Sequence, residues 1–405
     1  MALPELIKKL HGSYLRLFGD GGRKITFMAA PSRITLLGGE YSEAADGMSL
    51  TAAGDHYVVV AAQRRNDRQI VIYSANYDER LSFPQGSLKF DRGDGWANYP
   101  KGVVYFYERT GRKVEGLSLA ISGDIPEGCG LGASAALCVA TGMALNSLGN
   151  QPLDDATLVK LCQRVEHQFM GQRGDYTSPF ASRFGRDHHL VMFDSRTFKP
   201  EYVPFDYDAY KFVVAETGIR KNEAAEEYAK RLELFQKLLI EIRKYVPKVV
   251  SLRDVTPEAY EPARKSLDIL LRKRLDHIVY ENVRVRRSKD LLIKGDYAGF
   301  GALMSESHES LADRLKVSCP EVDLLYSVGR DLPGFLGGRM AGIGFGGHVV
   351  FLVKAEDVAV FVDRLKRDYN SQARINPKVV VYGAGAGARE VQSSVGPGLS
   401  ETGSF

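Results

Sequence analysis

Two hydrophobic periods divide the first half of the chain. Ile25 to Ala29, Tyr57 to Gln63 and Gln69 to Ser74 are dense in β-branched and aromatic residues and predict strands. Leu117, Leu119 and Ile121 alternate with small residues and predict a strand before Pro126; His189 to Phe193 predicts another. Leu158, Leu161, Cys162, Val165 and Phe169 fall at helical spacing behind Asp154, a residue suited to cap a helix N-terminus. The stretch from Met1 to Leu10 reads as a short amphipathic helix.

The texture changes near residue 205. Long helical patterns run from Glu223 to Tyr245, Pro257 to Lys294 and Tyr297 to Val317. A glycine-rich stretch then leads into a strand from His348 to Val353, a helix from Glu356 to Tyr369 and a strand from Lys378 to Tyr382. This order predicts an α+β chain of two domains, 1–205 and 206–390, with 391–405 as a Gly/Ser-rich flexible tail.

Composition narrows the partners. The chain has 405 residues, 44% hydrophobic and 26% charged, with 54 basic against 50 acidic side chains. A net charge of +4 gives no reason to expect a nucleic-acid or membrane partner. No apolar run approaches the ~20 residues that span a bilayer, and the N-terminus lacks a signal-peptide core. Cys129, Cys138, Cys162 and Cys319 form no CxxC pair, and three sit among apolar residues, which predicts buried free thiols. The expectation is a cytoplasmic monomer acting on a small molecule. The basic runs Arg272–Arg274 and Arg284–Arg287 read as solvated helix faces.

Three glycine-dense segments carry the candidate chemistry. Gly128, Gly130, Leu131, Gly132, Ala133 and Ser134 lie between a strand and an apolar helix. Glycines there let the backbone approach a ligand, and the helix N-terminus suits a phosphate. Ser134, in the first turn, is placed to put its hydroxyl on phosphate-bound Mg2+. No lysine follows, so this is not a loop of the GxxxxGK[ST] kind. The segments Ala30–Glu43 and Gly338–Gly347 flank other predicted strands and complete the walls of one cleft between domains.

Together the three segments resemble the signature motifs of the GHMP small-molecule kinases, in the galactokinase-like branch. Arg33 matches the family's active-site arginine, and the first motif aligns if one residue is inserted around Gly38-Gly39. Similarity continues through Trp96–Val103, through Ile219-Arg220 with Tyr228 and Arg231, through Ser305–Asp323, and through Gly383–Arg389. The resemblance implies a two-domain α+β GHMP kinase fold, with ATP and a sugar bound between the domains. It implies Ser134 and Glu166 as Mg2+ ligands, and Glu40, Tyr41, Glu43, Asp175 and Tyr228 on the sugar. The implied reaction moves the γ-phosphoryl group of MgATP to the anomeric hydroxyl of a hexose.

The departures cluster on the sugar side. Gly171 to Gly185 aligns without a gap, and Ser178 then stands where the family carries its catalytic aspartate, with Pro179 for the following glutamine. Tyr41 replaces a histidine, Glu43 an aspartate and Ile343 a small residue. Asp175 takes the place of a glycine that lies against the sugar. A serine hydroxyl cannot accept a proton at pH 7 without a relay, so Asp175 is the candidate replacement base. The alternative is that Asp175 only hydrogen-bonds a differently shaped sugar. For the whole protein the expected activity is that of a sugar kinase, catalytically uncertain at Ser178. The alternative is a weak or inactive sugar- and ATP-binding sensor.

Overall fold

The computed structural model describes residues 1–19, 21–39, 46–126, 130–172, 174–220, 224–342 and 344–393, with backbone alone at 220 and 224–229. Helix α1 (Leu3–Phe18) buries Leu6, Ile7, Leu10 and Tyr14, the amphipathic face expected of it. They pack on Phe27, Val59 and Ala120 of the first sheet. That sheet has eight strands. β1 (Thr26–Gly38) pairs antiparallel with β2 (Met48–Arg65), an 18-residue strand that serves two further neighbours on its other edge. Its first residues pair with β6 (His189–Asp194) and its later ones with β5 (Gly116–Gly123). β3 (Gln69–Ser74) lies parallel to β5, β4 (Glu79–Pro84) edges the sheet beyond it, and β7 (Glu201–Pro204) edges β6.

Five helices follow the cleft side of this sheet or lie beyond it in the chain. They are α2 (Asn98–Arg109), α3 (Ala133–Leu148), α4 (Asp155–Arg164), α5 (Thr177–Phe184) and, after the second sheet begins, α6 (Ala224–Arg243). α3 is buried nearly all round because its residues are small; a side chain on Gly142 would run into Leu158. Asp154 caps α4, accepting from the N–H of Thr157 at 2.8 Å.

The second sheet has four antiparallel strands in the order β11-β8-β10-β9. They are β8 (Tyr210–Arg220), β9 (Phe335–Ala341), β10 (Gly346–Lys354) and β11 (Lys378–Tyr382). Its helices are α7 (Pro257–Arg264), α8 (Ile269–Ile293), α9 (Tyr297–Glu309), α10 (Pro320–Arg330) and α11 (Val358–Ala373). A last strand, β12 (Arg389–Val391), returns to the first sheet and pairs with Phe27–Ala29 of β1. One hydrophobic core passes under both sheets, taking in Leu36, Val60 and Leu119 from the first and Val214, Val350 and Leu352 from the second. The α+β fold expected from the sequence is the fold observed.

Several local expectations change. The helical run from Pro257 to Lys294 is two helices, because the Asp268 carboxylate caps a new one by accepting from Leu270 N. The stretch after Ala30 continues the first strand as far as Gly38, so Arg33 stands beside a bulge in β1 rather than on a loop. Gly338–Ala341 likewise belongs to strand β9. Glycines suit it because the backbone of α9 lies against it: a side chain on Gly337 would collide with the carbonyl of Gly301. Arg284, read as part of a solvated face, is buried and paired with Glu281 at 2.7 Å. Cys138, Cys162 and Cys319 are buried free thiols; Cys129 lies outside the described residues. Among the described residues no helix is long and apolar enough to cross a membrane.

Candidate active site

A cleft of about 910 Å³ opens along the first sheet and is closed from the second by Gly342. That volume lies in the range of small-molecule sites. One wall is the start of α3. Gly130 and Gly132 hold φ of 63° and 79°, and no side chain caps the helix. The first-turn N–H groups are left for a ligand, an arrangement that suits an anion. Gly130, Leu131, Gly132, Ala133 and Ser134 all line the cleft, while Gly128 lies outside the described residues.

Opposite the loop, Arg33 is fixed by the bulge in β1. Its main-chain N–H donates to Leu131 O at 2.8 Å and its Nη1 to Gly130 O at 3.0 Å. Nε and Nη2 both donate to the hydroxyl oxygen of Ser178, at 3.0 and 2.7 Å. That hydroxyl in turn donates to Asp175 Oδ1 at 3.0 Å, which also accepts from the Ser178 main-chain N–H at 2.8 Å. The last contact is the spacing at which an aspartate before a helix accepts the N–H three residues on. Oδ2 of Asp175 has no hydrogen-bond partner among the described residues. A guanidinium, a hydroxyl and a carboxylate therefore form one connected line in the cleft.

Ser134 and Glu166 meet a short way off. The Ser134 hydroxyl donates to Glu166 Oε1 at 2.6 Å. Glu166 is 8% exposed and lies in a π-helical turn, Val165–Phe169, directly after α4. The stretch Trp96–Val103 explains part of its placement: Gly102 leaves room for Val165 and Phe169, whose side chains would crowd a Cβ there. Tyr99 lines the same wall, and burial together with the Glu166 charge pushes its phenol up to about 12. Hydroxyl and carboxylate oxygens side by side are hard ligands of the kind Mg2+ takes, and both residues line the cleft. Among the described residues no cluster of three His, Cys, Asp or Glu side chains could hold a metal alone. Any cation here therefore needs oxygens from its ligand.

Glu40, Tyr41, Glu43 and Ile343 lie outside the described residues. Tyr228 lies on α6, where the side chain is not described. The stem of the first motif is visible: Gly39 lines the cleft, and Gly38 N–H donates to buried Glu281 Oε1 at 2.8 Å. The sequence did not single out Tyr77, which stacks on Trp96 at 6.1 Å, both in the cleft wall. Nor did it single out His348, buried behind Gly130. Tyr77 sits in a polar turn with no distinguishing pattern, and His348 stands at the start of an apolar strand.

Two glycine loops converging on one cleft between sheets define a class. The GHMP kinases N terminal domain matches residues 98–185, and the GHMP kinases C terminal domain matches residues 288–371. The galactokinase of Clostridium beijerinckii is 32% identical over 391 residues, covering 96% of this chain and 100% of that one. The crystal structure of Lactococcus lactis galactokinase complexed with galactose superposes with a TM-score of 0.87 at 28% identity, covering 95% of this chain and 99% of that one. The Methanococcus jannaschii mevalonate kinase structure shares the fold, with a TM-score of 0.60 at 18% identity, covering 92% of this chain and 100% of that one. The chain thus belongs to the GHMP kinase family, and its relatives set it in the galactokinase-like branch of that family.

Proposed function

We propose that this protein is an ATP-dependent sugar kinase that moves the γ-phosphoryl group of MgATP to the anomeric hydroxyl of a hexose or modified hexose. The observation that carries the reading is the line Arg33–Ser178–Asp175, with hydrogen bonds of 2.7 and 3.0 Å, beside the phosphate-binding start of α3. In this reading Ser178 is not the base. Its oxygen takes two donors from Arg33, and its proton points at Asp175. The base is Asp175, whose Oδ2 takes the proton of the sugar hydroxyl. As the sugar oxygen bonds to phosphorus, the bond from phosphorus to the β–γ bridging oxygen breaks and ADP leaves. Arg33 stabilises the charge on the transferring group, and such fixed charge is a large part of phosphoryl-transfer catalysis. Ser134 and Glu166 would hold Mg2+, which supplies charge neutralisation on the phosphates. The sugar would meet Glu40, Tyr41, Glu43 and Tyr228 as well as Asp175.

The domain division at 1–205 and 206–390 fits the two sheets, apart from β12, which joins the first. A cytoplasmic monomer remains the proposed form. The test is ADP release with MgATP across a panel of free sugars that includes galactose. Turnover with any of them, lost in Asp175→Asn, supports the relocated base. The position of Ser178 favours the sensor as a second reading: no turnover with any sugar, together with MgATP binding by calorimetry, would establish it.

A further inference from the structure

Among the described residues, Gly130 of the glycine loop faces the ring of His348 on the second sheet. His348, near the start of β10, is paired across the sheet with Ala341 of β9 and Glu216 of β8. A Cβ placed on Gly130 would stand 2.7 Å from its Nδ1 and would run into its Cε1. Gly130 also holds a φ of 63°, so the ring and the backbone hand both demand glycine there. On the far side, a Cβ on Gly342 would be 3.9 Å from the same Cε1. His348 is 2% exposed, and its Nε2 has no hydrogen-bond partner among the described residues. Burial, with the positive charges of Arg33 and Arg339, pushes its pKa down to about 3, so the ring is neutral at pH 7.

We propose that His348 is a positioning residue for the nucleotide phosphates: its ring props Gly130, whose carbonyl holds Arg33, at the spacing that the γ-phosphoryl group requires. The connection is continuous. Gly130 O accepts from Arg33 Nη1 at 3.0 Å, and Arg33 Nη2 donates to Ser178 at 2.7 Å. A rigid, uncharged ring transmits position without competing with Arg33 for the anion. The inference rests on the proposed kinase reading, because it assumes that the phosphates lie on this loop.

Calorimetry with MgADP and steady-state kinetics on His348→Ala test it. KM for MgATP rises about tenfold and kcat falls, while KM for the sugar stays within about twofold. His348→Gln, which keeps bulk and polarity, stays closer to wild type and carries the same comparison if the alanine variant does not fold. Gly130→Ala is expected to lose about 100-fold in kcat/KM, and adding His348→Ala to it is expected to regain about tenfold. The inference is overturned if nucleotide and sugar KM move together, if neither moves, or if the second substitution gives no rescue. Wild-type protein that binds no MgADP overturns the nucleotide reading as well. Normal wild-type binding with unaltered variants overturns the role of His348 alone.

Discussion

The Ser178 hydroxyl donates to Asp175 Oδ1 at 3.0 Å while the main-chain N–H of the same residue donates to the same oxygen at 2.8 Å. Both bonds use Oδ1, so the carboxylate is held by one oxygen on a residue that lines the cleft. Asp175→Asn keeps the shape and removes the proposed base, so kcat should fall by ~10²–10⁴-fold. KM for MgATP should stay near wild type. Ser178→Ala removes one of the two acceptors of the Arg33 side chain, leaving Gly130 O, and loosens Asp175 without removing it. A smaller loss, roughly tenfold, is expected in single-turnover measurements. Equal losses in the two variants would count against Asp175 as the base.

The pairing of Ser134 with Glu166 at 2.6 Å predicts a shift in cation requirement. Glu166→Gln should raise the Mg2+ concentration for half-maximal activity by about tenfold or more, with sugar KM little changed. Ser134→Ala should act in the same direction and more weakly. The measurement is activity against free Mg2+ at fixed ATP; coincident curves for wild type and Glu166→Gln would refute the metal assignment.

Trp96 is the sole tryptophan of the chain, and it stacks on Tyr77 at 6.1 Å in the cleft wall. Its Nε1 donates to Glu79 at 2.7 Å. A nucleotide base entering beside this pair would change the solvent contact of the indole. MgADP should therefore produce a saturable change in tryptophan emission, absent in Trp96→Phe. The same titration gives the dissociation constant without any sugar.

Three buried histidines each make stability fall as the pH drops below 6.5. Burial pushes His277 and His308 down to about 4 and His348 to about 3, below the ordinary value of 6.5. His308 Nδ1 accepts the N–H of Met340 at 3.2 Å, a bond that protonation would break. Below pH 6.5 the unfolded chain binds protons that the folded one refuses. The stabilisation is complete above pH 6.5 and is lost as the pH falls toward 4. At pH 5.5 the loss is on the order of 1 kcal/mol for each histidine. Urea unfolding between pH 7 and pH 5 should show this slope, and His308→Gln should remove about a third of it.

How much could be read beforehand depends on the range of the interaction. The Asp154 cap and strands Gln69–Ser74 and Lys378–Tyr382 follow from local pattern. The helix break at Asp268 and strand β9 do not. The first is an aspartate preferring its own backbone, and the second exists because α9 comes close enough to exclude side chains. In the site, the sequence marked Asp175 and Ser178 as the departures, but the bond from the Ser178 N–H to Asp175 is a finding of the structure. So is the contact of the Ser178 hydroxyl with Arg33, 145 positions away. Glu281 shows the same limit. It lies on a helix that the sequence predicts, with nothing local to mark it, yet it is buried against Gly38, Ser307 and Arg284.

The short strand Arg389–Val391 bears on how the two halves of the chain depend on each other. It pairs with Phe27–Ala29, while Gly387 N–H donates to Gly185 O at 2.7 Å and Ala388 N–H to Ser182 O at 2.8 Å. The helix bearing Ser178 is thus buttressed by a segment that follows the second sheet in the chain. The cleft, lined mostly by residues of the first sheet and its helices, takes its backing from beyond β11. Order in that late segment and order in α5 are thereby one property, shared between the two halves of the chain.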